Sequence, residues 1–468
     1  MSHGLIPGLA LVAWFPFTFW LVRTYRLPVA CAYSLIGGAL ILPNQANYDF
    51  PLVPALSKAT IPALAFLMAV YFRDRQRLRA TQLGKGLEGL WLALALGALC
   101  TWWTNRNTIY LPGWLGPPSL LGLKIQDAWN LSMSDLMFYI LPFCAGRVAV
   151  HNLDDFRSFA RSTITLGILY VPLVLLELRL SPQTHKWVYG FAAQVQSFSQ
   201  SMRWGGYRPN LFFPHGLGLA MFLLAVLLLI AGLYRSRKSI FGMRPRWFFF
   251  AYCAIVILEK ATGAIAYAVM VVPLIVFAPA RLQRWTIISL AVFGLYYPTA
   301  LNSLPRHELS ETIASYSFER GSSLQFRFDN EDLLAERANE KFLFGWGAFG
   351  RNRVYHPRTG LDIAVTDGAW IVRFGQQGYV GMAFSYLLLI IPVISLMRQL
   401  KRHRLGKEEY PILGASFYVA LSSVEMIPNG LLSFYIPFFM AGGLAGLARH
   451  FRATPTVQTR RTARAPVA

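Results

Sequence analysis

Five cations stand out because they lie near the outer ends of apolar stretches, where an isolated charge is costly. Arg208 leads RPNLFFPHG, and Pro209, Pro214 and Gly216 loosen the start of the apolar run that follows. Free backbone N–H groups at such a start can meet an anion. Lys260 lies in LEKATGA between two apolar runs, Arg320 and Arg327 flank SSLQF, and Arg373 lies in AWIVRFGQQGYVG, just after Asp367. Taken singly, each cation reads equally as half of a structural ion pair, and Lys260 as a partner of Glu259 or a snorkelling side chain. Taken together they suggest an anionic ligand, and arginine suits phosphate because its fork donates two parallel hydrogen bonds. No Walker loop, HExxH or nucleophile elbow occurs, and no GxGxxG follows a strand pattern. His185 and His307 read as ordinary surface or core histidines.

The elements that must position these residues are apolar helices. Of 468 residues, 55% are hydrophobic and 14% charged, against about a quarter charged in soluble domains. The stretch LGLAMFLLAVLLLIAGLY, Leu217 to Tyr234, has no charge. About 20 such residues span a hydrocarbon core of roughly 30 Å. The backbone must then satisfy its own hydrogen bonds, as a helix does, and the runs lack the alternation of a barrel strand. Hydropathy predicts an all-α, polytopic transmembrane bundle of about 12–13 spans. Their approximate limits are 5–22, 27–43, 59–72, 87–103, 131–146, 162–178, 211–234, 247–259, 261–279, 285–301, 370–397, 411–426 and 430–447. A single helix over 247–280 would be about 50 Å long, so a hairpin with its tip at Glu259-Lys260-Ala261 is expected.

The net charge of +22 belongs to this topology. One alternate set of loops, with Arg23 and Arg26, 73–79, 235–246, 398–404 and the basic tail, is predicted cytoplasmic. The other set, roughly 104–130, 179–210 and 302–369, is nearly balanced in charge and predicted external. Thirteen spans put the N-terminus outside; merging one pair puts it inside. No basic stripe interleaved with exposed aromatics points to nucleic acid. The 302–369 loop holds ten of the 22 acidic residues. Its stretch Asn330–Phe344 predicts an amphipathic helix with Leu333, Leu334, Ala338 and Phe342 on one face, ended by Gly345, Gly347 and Gly350. Residues 1–451 read as one membrane domain and 452–468 as a disordered cytoplasmic tail. No cleavable signal is expected at the N-terminus. Cys31, Cys100, Cys144 and Cys253 lie in or beside apolar runs without CxxC spacing and read as small buried residues.

Three stretches resemble the O-antigen ligase and polymerase superfamily of bacterial inner-membrane proteins. MRWGGYRPNLFFPHGLG, Met202 to Gly218, looks like that family's Arg-containing loop running into a Pro-bearing helix start. LEKATGAIAYAV, Leu258 to Val269, stands where the family commonly has a Ser-Arg-Gly-like step. RFDNEDLLAERANEKFLFGWGAFG, Arg327 to Gly350, followed by TDGAWIVRFGQQGYVG, Thr366 to Gly381, is similar to the final external loop of the family. The likeness covers roughly 200–385. In two places the chain departs from the family: Asp367 stands where the ligases have a His, and Lys260 where Arg is usual. Asp367 fits an exopolysaccharide or O-antigen polymerase better than a lipopolysaccharide ligase, and His356 is an alternative, displaced base.

The resemblance implies a metal-independent membrane glycosyltransferase at the outer face of the inner membrane, with no cofactor. Its substrate would be a glycan on polyprenyl diphosphate, and a chain-length regulator its expected partner. Arg208, Lys260, Arg320, Arg327 and Arg373 would bind the diphosphate. Arg208 and Arg327 would also stabilise developing charge, and Asp367 would act as general base or, equally, as an N-cap. From a different class, a secondary transporter or flippase would use the same cations for an anionic solute or a lipid-linked sugar.

Overall fold

The computed structural model describes residues 4–51, 53–113, 115–117, 119–193, 198–365, 367–403, 409–430 and 434–454. These residues are mostly helical, as the uncharged runs predict. The first half forms α1 (Leu5–Thr24), α2 (Leu27–Ile41), α3 (Ile61–Arg73), α4 (Arg75–Thr81), α5 (Leu90–Trp103), α6 (Ile125–Asp135), α7 (Leu141–Ala149), α8 (Leu153–Leu180) and α9 (Thr184–Tyr189). The second half forms α10 (Gly216–Ser236), α11 (Pro245–Leu258), α12 (Thr262–Phe277), α13 (Ala280–Thr299), α14 (Arg306–Tyr316), α15 (Phe318–Asn339), α16 (Ala369–Arg402), α17 (Tyr410–Glu425) and α18 (Ile436–Ala453). Three small antiparallel hairpins lie between helices: β1 (Asn47–Phe50) with β2 (Val53–Ser57), β3 (Ile109–Tyr110) with β4 (Ser119–Leu120), and β5 (Met202–Arg203) with β6 (Gly206–Tyr207).

Among the described residues four helices, α1, α8, α10 and α16, are long and apolar enough to cross a membrane, and α2, α3, 87–103, α11 and α12 are shorter apolar helices. Apolar on every side, α10 is buried on nearly every side, packed by α8, α11, α12 and α17. At the rim, α1 leaves Leu5, Leu9, Val12 and Trp20 exposed. Such a surface is an aggregation liability in water and ordinary in lipid, so it is consistent with membrane insertion. Small residues let α7 and α18 touch backbone to backbone: a Cβ at Gly146 would overlap the Phe439 carbonyl, and one at Gly442 or Gly446 the Phe143 or Val150 carbonyl.

The two ends of the helices differ in chemistry. At one end arginines close helix C-termini, where a cation complements the helix dipole. Arg235 donates to Ile275 O and Ala278 O, both at 2.7 Å, and Arg77 to Val148 O at 2.9 Å and Ala149 O at 3.0 Å. Arg449 donates to Thr81 O at 2.9 Å. The other end carries hairpins β1–β2, β3–β4 and β5–β6 and helices α14 and α15.

Three expectations change. The helix expected over 330–344 is α15, which begins upstream at Phe318 and stops at Asn339; its buried face runs through Phe328, Glu331, Leu334, Ala335 and Ala338. Phe342 lies beyond it and stacks on Tyr379 with ring centroids 5.2 Å apart. The run expected as one helix over 370–397 is broken at Gly378, φ 65° and ψ −169°. The freed backbone groups are taken by the Gly-rich turn: Tyr379 N–H donates to Phe342 O at 2.7 Å, Trp346 N–H to Gly375 O at 2.8 Å and Gly347 N–H to Gln376 O at 2.9 Å. Of the expected tail, Arg452 and Ala453 belong to α18, and 455–468 lie outside the described residues.

Candidate functional site

The loop between α9 and α10 is built from its backbone outward. In hairpin β5–β6, Trp204 (φ 48°) and Gly205 (φ 67°) both adopt positive φ, as a tight two-residue hairpin requires. Glu177, buried near the end of α8, then accepts the N–H groups of Asn210 at 3.1 Å and Leu211 at 2.8 Å. From the other side Asn44 Nδ2 donates to Phe212 O at 2.5 Å, and the buried Lys58 ammonium donates to the same carbonyl. Burial pushes Lys58 well below the usual lysine range. His215 caps α10 by accepting Leu217 N–H at 3.1 Å. The segment that carries Arg208 is therefore held by two elements distant in sequence.

Arg208 is 5% exposed and Glu259, at the tip between α11 and α12, is fully buried. They form a loose pair, Nε to Oε1 3.8 Å. Arg208 Nε and Nη2 and both Glu259 oxygens make no hydrogen bond. The Arg208 guanidinium lies on the first residue of α10: a Cβ at Gly216 would sit 2.7 Å from Nε. A cation at a helix N-terminus opposes the dipole, so this arrangement favours a bound anion. Lys260, in the left-handed region at φ 58°, places its ammonium where a Cβ of Gly206 would be. Lys260 thus reaches the Arg208 loop, while Glu259 faces Arg208.

The second half of the site comes from α15, α16 and α17. Arg327 Nε is 3.4 Å from Asp367 Oδ2, and both side chains are about two-fifths exposed, at 41% and 43%. Asp367 is not the N-cap of α16: that position is Gly368, with no side-chain cap. The start of α16 is fixed instead by the loop after α17, through Ala369 N–H to Asn429 O at 3.2 Å and Trp370 N–H to Met426 O at 3.3 Å. Glu425, buried at the end of α17, accepts Asn429 Nδ2 at 2.6 Å. A Cβ at Gly263, on the first turn of α12, would lie 3.7 Å from Glu425 Oε2, so the end of α17 stands between the starts of α12 and α16. A cavity of about 50 Å³ beside Arg327 and Asp367 is walled by Tyr297, Phe328, Glu331 and Ile371.

Among the described residues, none of the remaining expected residues is paired with Arg208, Lys260, Arg327 or Asp367. Arg373 donates to buried Asp135 at 2.7 Å, and Gln377 to the other Asp135 oxygen at 3.0 Å, beside the π-helical turn Leu136–Ile140 and the Gly378 break. Arg320 is exposed on the first turn of α15. His356 folds onto its own turn, its Nδ1 accepting Arg358 N–H and Thr359 N–H at 3.3 Å each. Among the described residues no three His, Cys, Asp or Glu side chains gather as metal ligands. Sequence reasoning passed over Lys58, Glu177 and Glu425. Each is a charge at the end of an apolar run, the same signal that marked the cations.

No protein-family model and no curated protein matches the chain.

Proposed function

We propose that the protein is a polytopic enzyme of the bacterial inner membrane that joins glycan repeats carried on polyprenyl diphosphate. In this reading about 13 segments cross the bilayer. The arginine-capped end is cytoplasmic, and the end carrying Arg208, Lys260, Arg327 and Asp367 faces outward, under the 302–369 loop. The observation that carries the reading is Arg208: a buried guanidinium at a helix N-terminus whose hydrogen bonds are unmade. Leaving a buried charged donor unsatisfied costs about 3 kcal/mol or more. A diphosphate would supply the missing acceptors and satisfy the dipole of α10.

The chemistry needs little else from the protein. A hydroxyl oxygen of the acceptor glycan bonds to the anomeric carbon of the donor as the bond from that carbon to phosphate oxygen breaks. The diphosphate leaves with the electron pair, still attached to the prenyl carrier. Arg208, Lys260 and Arg327 offset the charge that develops on it, and the exposed Asp367 carboxylate takes the hydroxyl proton. Arg373 is left to Asp135, as a structural pair. Polymerisation rather than ligation to another acceptor is favoured by Asp367 in place of a His.

A transport reading draws on the broken α16 and its buried Arg373–Asp135 pair. The backbone groups freed at Gly378 are filled by 342–347, which favours a fixed packing feature over a solute site. The test is complementation of a polymer-deficient strain with Arg208→Ala, Arg327→Ala and Asp367→Asn. Loss of polymer from each at wild-type protein level is expected; normal polymer from all three rejects the assignment.

A further inference from the structure

The arginine-capped end contains a cavity that the glycan chemistry does not use. It has a volume of about 600 Å³ and lies between the α4–α5 connection, α7, the second half of α16 and α18. Its rim carries Lys85, Arg147, Arg449 and Arg452, and its walls include Phe143 and Ile391. Among the described residues no carboxylate lines it. Glu88, beside the lining residue Gly86, is buried in an ion pair with Arg147. Arg449 is held over the rim by Thr81 O at 2.9 Å and Gln82 Oε1 at 2.7 Å, and Arg452 by Ser395 Oγ at 3.3 Å. A second cavity of about 240 Å³, with His151 and His450, opens on the other side of Arg147 and Arg449.

We infer that the larger cavity is a binding site for an anionic phospholipid of the cytoplasmic leaflet. Three features converge on that ligand. Three of the rim cations, Lys85, Arg449 and Arg452, have no carboxylate partner among the described residues, and a phosphate headgroup relieves their mutual repulsion. The walls are apolar, so the ligand must carry hydrocarbon as well as charge, which a free phosphate does not. The cavity opens at the end where helix C-termini meet arginines, the level of lipid headgroups when the helices span a bilayer, and basic pockets between helices on that side suit such headgroups. The inference rests on membrane insertion and on the cytoplasmic side proposed for this end, and is independent of the glycan chemistry.

The test uses the full chain, purified in neutral detergent and delipidated, with its thermal unfolding followed during titration. The probes are short-chain phosphatidylglycerol, short-chain phosphatidylcholine and inorganic phosphate. Phosphatidylglycerol is expected to raise the unfolding temperature and the other two to leave it unchanged. Lys85→Gln with Arg452→Gln removes two rim charges without touching the backbone contacts of Arg449. At about 1 kcal/mol per charge, the phosphatidylglycerol midpoint should rise about 30-fold. Arg23→Gln with Arg73→Gln removes two exposed charges at the same end outside the cavity and should leave the midpoint unchanged. Equal responses of the two double variants, or equal stabilisation by all three probes, would overturn the site. A protein that stays monodisperse without detergent would instead overturn membrane insertion, a separate result.

Discussion

Arg208 and Arg373 are both buried arginines beside a carboxylate, and distance separates their roles. Arg373 reaches Asp135 at 2.7 Å with Gln377 completing the pair, whereas Arg208 stands 3.8 Å from Glu259 with donors and acceptors unfilled. Removing Arg373 strands a buried carboxylate, and such losses cost about 3–5 kcal/mol. Arg373→Met should therefore lower the unfolding temperature sharply, and Arg373→Met with Asp135→Leu should recover most of it, as read by thermal unfolding in detergent. Arg208→Ala relieves an unsatisfied buried charge and should not lower the unfolding temperature, while polymer synthesis falls about 100-fold or more, with Arg208→Lys intermediate. His151, at the arginine-capped end, supplies a pH signature. Burial above all, with Arg77, Arg147 and Arg449 opposing Asp155, pushes its imidazole down to about 4. The unfolded chain takes up this proton near the ordinary histidine value while the folded chain refuses it. The stability contribution is thus complete at neutral pH and is lost as pH falls from about 6.5 toward 4. His151→Gln should flatten that part of the unfolding-temperature profile.

At the scale of elements, the break in α16 is set by two glycines on different segments. Gly378 has φ 65° and ψ −169°, a region essentially confined to glycine, and a Cβ there would overlap the Leu343 carbonyl; a Cβ at Gly345 would meet Gly378 N at 2.5 Å. Gly378→Ala should cost about 1–3 kcal/mol in backbone conformation alone and lower the unfolding temperature, while Gly4→Ala, with open space around it, should not. The hairpin at Glu259–Ala261 was legible because the 34-residue stretch 247–280, charged only at Glu259 and Lys260, is too long for one bilayer crossing. The Gly378 break was not, because the turn that fills it lies over 30 residues upstream and neither segment alone announces the pairing. The same holds in the site. Arg208, Lys260 and Arg327 were legible as charges near the outer ends of apolar runs, and Asp367 only through the family resemblance. The place of Glu425 between the starts of α12 and α16, and the latch of Glu177, Asn44 and Lys58 on 210–212, depend on which helix ends meet. The start of α15 was misplaced because its first turns are polar and lack an apolar stripe, and tertiary contact with α14 and α16 supplies what periodicity does not.

For the whole molecule, the two chemically different helix ends imply an orientation. Cysteines placed at exposed Ser322 and Ser239 should separate under a membrane-impermeant maleimide. Ser322→Cys should label in intact spheroplasts, and Ser239→Cys only after permeabilisation, above the background of the four native cysteines. Labelling of both in intact spheroplasts would contradict the topology. The central claim, glycosyl transfer from a lipid diphosphate, is tested most directly by reconstitution. Purified protein in proteoliposomes would receive a polyprenyl-diphosphate-linked repeat from the host's own polysaccharide pathway, with oligomer length and free polyprenyl diphosphate measured together. Wild-type protein should lengthen the glycan and release one polyprenyl diphosphate per bond formed, and Arg208→Ala should do neither. Movement of the lipid-linked repeat across the bilayer without lengthening, or equal lengthening by Arg208→Ala, would contradict the account.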